Sequence, residues 1–307
     1  MAIQVEVWED RIEDSLLPDS DFVTKSVNHN EFVEKKTVHI PQAGTPATVI
    51  KNRSVLPGVI TQRTDTDRTY DLNEYSIDPT LITDLEEKQN SFSKMDSVLR
   101  DIIEEIRKRI GDETANTWAG VGLASGTGQI VLTTGTATAN IAPPTGTGNR
   151  KAVLINDLAS SAAKLDEDNV PQDNRWLLMP SKMYHNMLIE NKAELLSSDF
   201  MNQGNLPTGV VRSIWGFNIM LRSNVTVYTN TATPVLRAVG FAEATDDNFG
   251  AIGWHSNAVA MAMNDTEVFI QEKAPEFYGD ILSGLVNHGS IALRTDGKGI
   301  VTIVQDT

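Results

Sequence analysis

Between residues 78 and 118, Leu81, Leu85, Phe92, Met95, Leu99, Ile102, Ile106 and Ile110 fall mostly three or four positions apart, the spacing that lines one face of an α-helix. Asp78 can cap its first turn and Pro79 suits the first helical position, so the helix, or two stacked ones, is expected to begin there. Gly111 is expected to bend or end it. Glu104 with Lys108 and Glu105 with Arg109 add acid-to-base pairs at a spacing of four, and Glu86 and Glu87 extend the same solvated face. An element this long with one apolar stripe gains most of its stability from what it packs against. The rest of the chain must supply that surface.

Residues 153–188 read as an amphipathic helix, a proline-marked turn, a buried strand and another helix. Leu154, Leu158, Ala162 and Leu165 recur at helical spacing, Asp166, Glu167, Asp168 and Asn169 close that helix, and Val170, Pro171, Gln172, Asp173 and Asn174 make a turn. Trp176, Leu177, Leu178 and Met179 form a short apolar strand. Pro180 stops it and opens a further helix carrying Met183, Met187 and Leu188 on one side. Residues 214–221 and 235–241 read as strands, 258–263 as a small-residue helix or buried strand, and 266–271 as an alternating strand. The tail, 280–294 and 300–304 around a turn at 295–299, reads as a terminal hairpin.

Towards the N-terminus, residues 1–35 mix acids with isolated apolar residues and read as an arm that packs on something else. Residues 36–77 alternate in extended fashion, broken by Pro41, Gly44, Pro57 and Gly58, and hold too few large apolar residues for a core of their own. Such a projecting hairpin needs a partner surface. Residues 119–150 are rich in Gly, Thr, Ala and Pro and read as a loop or a few weak strands.

Length and composition narrow the function. A chain of 307 residues, 40% hydrophobic, can bury a substantial core. No run is long enough for a membrane span and the first residues do not form a signal peptide, so a soluble, non-secreted protein is expected. Without cysteine there are no disulfides, thiolate nucleophiles or thiolate metal sites. The net charge of −15, from 41 acids against 26 bases, repels nucleic acid on average and argues against sequence-reading DNA binding.

Catalytic patterns fail on inspection. Gly126-Thr127-Gly128 and Gly146-Thr147-Gly148-Asn149-Arg150-Lys151 lack the Gly-Lys-Ser/Thr ending of a phosphate loop. Asp65, Asp67 and Asp71 lack the glycine and terminal glutamate of a calcium loop. His29, His39, His185, His255 and His288 do not pair at metal-ligand spacing, and no Gly-x-Ser-x-Gly turn presents a nucleophile. No catalytic, cofactor or metal residue is assigned. Trp118, Trp176, Trp215 and Trp254 read as core anchors, while Trp8, in the arm, is a candidate to insert into a neighbouring subunit.

The order Leu165-Asp166, Asn169-Val170-Pro171, Arg175-Trp176, Met179-Pro180, Tyr184 and Leu188 resembles a motif of the major capsid (coat) proteins of tailed bacteriophages, with the Hong-Kong-97-type fold. Gly209, Ile214-Trp215-Gly216-Phe217-Asn218-Ile219, Ser223-Asn224, His255-Ser256-Asn257-Ala258, Gly279-Asp280, Gly284, His288-Gly289 and Leu293-Arg294 extend the likeness. The resemblance implies an α+β subunit with an N-terminal arm (1–35), an extended loop (36–77), a long spine helix with the peripheral domain (78–151), an axial domain (152–265) and closing peripheral strands (266–307). It further implies a non-enzymatic protein that assembles with itself as hexamers and pentamers into an icosahedral or prolate head in the host cytoplasm. The head would enclose double-stranded DNA held by weak non-specific contact, with a separate scaffolding protein, a portal and decoration proteins as partners and no membrane. Lys51, Arg53, Arg63 and Arg68 in the extended loop are the charged candidates for intersubunit contact. Some relatives crosslink Lys to Asn between subunits; Lys51 lies in the right region, but no motif identifies its partner. The alternatives are an encapsulin-like compartment of the same fold and, from another class, a soluble enzyme with residues 119–150 as a lid.

Overall fold

The computed structural model describes residues 22–34, 36–42, 44, 48–54, 56, 58, 60, 62–83, 94–124, 129–143, 146–192, 213–241 and 244–307. Its framework is the helix Lys94–Ala124, 31 residues and so about 46 Å long at 1.5 Å per residue. Along this spine helix the apolar stripe is shared between two sheets. Leu99, Ile102, Ile103, Ile106 and Ile110 are buried in one cluster with Ile82, Val268, Leu282 and Val286. One half-length further on, Ala115, Trp118 and Ala119 join Leu178, Ile252, Trp254 and Ile300.

The sheet beneath the second half is central to the subunit. Its strand order is Ser213–Ile214, Phe217–Arg222, Arg175–Pro180, Asn248–His255, Ile300–Val304 and Ile130–Leu132, with Thr226–Tyr228 also on Asn248–His255. The expected apolar run is the strand Arg175–Pro180, parallel to one neighbour and antiparallel to the other. After Arg175 it is apolar because both faces are covered. Leu177 and Met179 point to the helices Ile155–Glu167 and Ser181–Glu190, where Leu158, Leu165, Met183 and Met187 are buried, while Leu178 points to the spine helix.

The second sheet is a long ribbon of Val259–Ala274 paired antiparallel with Gly279–Ala292. Val27–Asn28 adds to one edge of it, and Asn73–Ser76 and Thr80–Thr83 to the other. From the ribbon rises a hairpin of Thr37–Gln42 and Thr66–Asp71, extended by Val33–Glu34. Mixed sheets packed with helices make this an α+β fold, as expected.

Several local expectations give way to tertiary contacts. Asp78 and Pro79 do not open the helix: the next residues, Thr80–Thr83, are a strand on Gly279–Leu282, with Ile82 buried. The edge of the ribbon offers hydrogen bonds there, and Gly279 lets it approach, since a Cβ at that position would lie 2.1 Å from the Ile82 carbonyl oxygen. Leu85, Glu86, Glu87 and Phe92 lie outside the described residues. Gly111 does not end the helix, which runs on to Ala124. Residues 214–221 are not one strand but a hairpin, turned at Trp215 and Gly216, both with positive φ (50° and 79°), the conformation a two-residue hairpin loop demands. Residues 235–241 are a loop touching Tyr228 through one bridge at Leu236. The tail is not a hairpin either. Gly279–Ala292 belongs to the ribbon and Ile300–Val304 to the central sheet, so the turn between them passes from one sheet to the other.

Gly111 has a different task. The Arg222 guanidinium crosses the helix there, donating to the Lys108 carbonyl (2.8 Å) and to Asp112 Oδ1 (2.9 Å), and it also lies over the Phe22 ring. A Cβ on residue 111 would sit 2.0 Å from Arg222 Nη1. Helix propensity alone favours alanine over glycine by about 1 kcal/mol. Gly111→Ala must displace the Arg222 guanidinium and should therefore gain less than this in the parent, but the full gain of about 1 kcal/mol in an Arg222→Ala background; equilibrium denaturation of the four members of that cycle reads the difference.

In the ribbon His288 is 1% exposed, its Nε2 has no hydrogen-bond partner and its ring meets Tyr75 edge-on. Burial lowers its pKa from 6.5 to about 4. The unfolded chain then binds a proton below pH 6.5 that the folded chain refuses until about pH 4, so stability falls as pH drops through this window. Unfolding at pH 5 should be easier than at pH 7 by about 2 kcal/mol from this group, and His288→Gln should remove that part of the acid sensitivity in denaturant titrations at the two pH values.

Candidate interaction surfaces

The hairpin has a fixed root and an unsupported tip. At the root Val38, Tyr70 and Leu72 are buried with Ala262 of the ribbon, flanked by Val33, Ile40 and Ile291, and burial pushes the Tyr70 hydroxyl well above its ordinary pKa. Polar pairs then tie the two strands together: Thr37 Oγ1 donates to Asp71 Oδ1 (2.8 Å), and His39 Nδ1 meets Asp67 Oδ2 (2.7 Å). A separate fastening joins the hairpin to the body, because the Leu293 carbonyl accepts hydrogen bonds from both Arg68 Nη1 (2.9 Å) and Gln42 Nε2. Gly44 marks the end of the supported part. Its amide donates to Asp65 Oδ1, and a Cβ would fall 2.1 Å from the Thr64 carbonyl oxygen. Beyond it Val49 (95%), Leu56 (81%) and Ile60 (97%) are almost wholly exposed and Ile50 is half exposed.

Among the residues singled out from sequence, Lys51 and Arg53 are exposed at this tip, with Arg53 lying across Gly58. Arg63 is paired with Asp65 (2.6 Å), and that partner holds the Asp65 carboxyl below its usual pKa. Arg68 is turned inward onto Leu293 and serves the subunit's own hairpin root. Trp8 lies outside the described residues. The structure thus brings Lys51 and Arg53 together with exposed apolar side chains that the sequence reading passed over. Their signal was present, since Val49, Ile50, Leu56 and Ile60 stand in a segment that has no apolar face to bury them.

Other large apolar side chains also face outward. Trp215 caps the tight hairpin and is 55% exposed, so it is not the core anchor its composition suggests; Trp118 and Trp254 are, at 0%. Phe277 and Tyr278 stand at the turn of the ribbon, and Phe269 projects from one of its strands.

Among the described residues no three His, Asp or Glu groups converge as a metal site. The buried carboxylates are consumed structurally. Asp157 accepts from the Leu154 and Thr134 amides and the Thr134 hydroxyl, and Asp247 accepts from Arg237 and the Ala244 amide. Arg150, in the segment tested for a phosphate loop, is buried and donates to the carbonyls of Thr147, Asn149 and Asp247. Gly126, Thr127 and Gly128 lie outside the described residues. The proposed lid is no lid over its described part: Ile130–Leu132 is an edge strand of the central sheet, and Val131, Thr133, Ile141 and Ala142 are buried. A groove of about 370 Å³ beside Phe22 is lined by Glu104, Arg107, Lys108, Leu178, Met220, Leu221 and Arg222, with a single carboxylate among them.

With this architecture in hand, solved structures of the same shape are found. The capsid of cyanophage P-SCSP1u superposes with a TM-score of 0.65 at 16% identity, covering 91% of this chain and 86% of that one. The mature capsid of bacteriophage PhiM1 gives 0.62 at 12% identity (94% and 87%), and the capsid of Ralstonia phage GP4 gives 0.61 at 10% (92% and 87%). The fold is therefore the Hong-Kong-97-type fold of phage capsid subunits. The sequence matches the phage capsid protein family over residues 19–306, and the chain belongs to that family. No curated protein matches the sequence.

The two donors on the Leu293 carbonyl set the angle of the hairpin. Replacing both, as Gln42→Ala with Arg68→Ala, should speed amide exchange across residues 37–42 and 66–71 while leaving the central sheet protected, at a stability cost of about 1 kcal/mol per hydrogen bond lost. Hydrogen-exchange mass spectrometry reads both effects.

Proposed function

We propose that this chain is the subunit of a tailed-phage head that closes upon itself as hexamers and pentamers around double-stranded DNA. The observation that carries this reading is the hairpin with its root fastened to the body and its apolar tip exposed. Val49, Ile50, Leu56 and Ile60 cannot be buried by the hairpin itself. A monomer gains nothing from displaying them, whereas a tip laid on a neighbour would recover roughly 1.5–3 kcal/mol for each side chain fully buried. In this reading residues 36–77 are the extended loop, 78–151 with 266–307 make the peripheral domain around the spine helix, 152–265 make the axial domain, and residues 1–35 form the N-terminal arm, whose described part packs on the subunit's own core and ribbon and whose Trp8 would reach a neighbour.

Head-to-tail contacts of one surface with a different one generate rings when the rotation closes, and many modest contacts allow misplaced subunits to leave before the shell locks. Lys51 and Arg53 would add charge complementarity to an otherwise acidic neighbour. The net charge of −15 suits a wall along which DNA slides without being held. The role is structural, not catalytic, with assembly in the host cytoplasm alongside a scaffolding protein, a portal and decoration proteins.

Substituting the tip as Val49→Ser, Ile50→Ser, Leu56→Ser and Ile60→Ser tests the reading without touching the root. The isolated subunit should melt as the parent does, since exposed positions contribute little, and electron microscopy should show shells lost or reduced to rings. Normal shells from the fourfold variant would refute the assignment of this hairpin as the intersubunit arm.

A further inference from the structure

The ribbon strand Val259–Ala274 is covered on its outer edge only near its start. Val27 and Asn28 pair with Ala260 and Met261, the His29 amide donates to the Met261 carbonyl, and the Asn30 side chain accepts from the Met263 amide. Farther on, among the described residues, no strand pairs with that edge. Irregularities between Asn264 and Thr266 and between Gln271 and Ala274 delimit a regular stretch, residues 266–271, whose inner edge is paired with residues 281–286. Its outer edge is a row of backbone donors and acceptors ready to take another strand.

We propose that this edge pairs with the same edge of a second copy of the chain, antiparallel, across a two-fold axis through Phe269. The side chains favour that register. Residues facing each other in antiparallel strands lie on the same face of the sheet, so a two-fold axis normal to the sheet passes through a residue facing its own copy. With Phe269 on the axis, its ring, 52% exposed, meets the same ring of the second copy. On that outer face the exposed Glu267 stands opposite the exposed Gln271 of the second copy, a carboxylate opposite an amide that can donate to it. On the inner face Val268 stands opposite Ile270, both packed with the spine-helix cluster. Every pair is matched in polarity and no like charges meet. Moving the axis to Val268 sets Glu267 against Phe269, and moving it to Ile270 sets Val268 against Glu272 and Phe269 against Gln271. The contact is isologous, and so uses one surface twice. Placing it between neighbouring rings of a shell rests on the function proposed above, whereas the pairing itself does not.

The chain contains no cysteine, so introduced thiols report cleanly. Directly opposed residues have Cα atoms about 4.5–5.5 Å apart, within disulfide reach. After mild oxidation Phe269→Cys should run as a covalent dimer on non-reducing gels, Glu267→Cys and Gln271→Cys should each stay monomeric, and the Glu267→Cys, Gln271→Cys double variant should dimerise again. All three positions are exposed, so the fold is retained. A monomeric Phe269→Cys, or a dimer from Gln271→Cys alone, would overturn the proposed register. Electron microscopy of the same samples separates the two readings: dimers without shells keep the pairing and remove the shell, shells with only monomers do the reverse, and neither product removes both.

Discussion

The burial of one helical stripe against two different sheets is the constraint on which this subunit depends. Leu99 to Ile110 pack on the ribbon, and Ala115 to Ala119 pack where the start of the ribbon (Val259, Met261, Ala292) meets the central sheet (Ile252, Trp254, Ile300), so one helix spans both sheets and helps to fix their relation. Each fully buried Ile or Leu stabilises by roughly 1.5–3 kcal/mol, and these residues sit on one rigid rod. Arg222 adds a directional element, since its bonds to Lys108 and Asp112 fix the last strand residue before Ser223 to a particular turn of the helix.

Much of this was legible in the sequence because it follows local periodicity. Helices at 155–167 and 181–190 and the strand at 175–180 are where the apolar spacing puts them, and the spine helix covers the later part of its expected span, from Lys94, and runs past Trp118 to Ala124. What escaped prediction was decided by partners distant in sequence. Asp78 and Pro79 have the chemistry of a helix start, but Thr80–Thr83 finds a ribbon edge to bond. Trp215 looks like a core residue until the positive φ of the turn sends it outward. The two final strands share a turn yet not a sheet, and no pattern within 280–304 distinguishes those outcomes. The contact residues were legible only in part: Lys51 and Arg53 stand where a projecting loop would put them, whereas the inward use of Arg68 depends on a carbonyl 225 positions away.

The buried polar groups show how side chains can fix the loops around the central sheet. Arg150 and Arg175 are nearly inaccessible, and Arg150 through its two terminal nitrogens and Arg175 through Nε and Nη2 donate to backbone carbonyls of adjoining loops, with Asp166 also bound by Arg175 at 2.6 Å. A guanidinium carries five donors in a fixed plane, so one side chain can hold a whole turn.

The junction at Leu293 has a mechanical meaning. One carbonyl receives the hairpin root, the residue before it ends the ribbon strand, and the chain then enters the central sheet at Ile300. Force applied at the distant tip is therefore converted into torque about a point that both sheets share. The tip acts as the long arm of a lever, the Leu293 carbonyl as its fulcrum and the spine helix as the beam that resists rotation, so strain entering at the tip is passed into the body of the subunit.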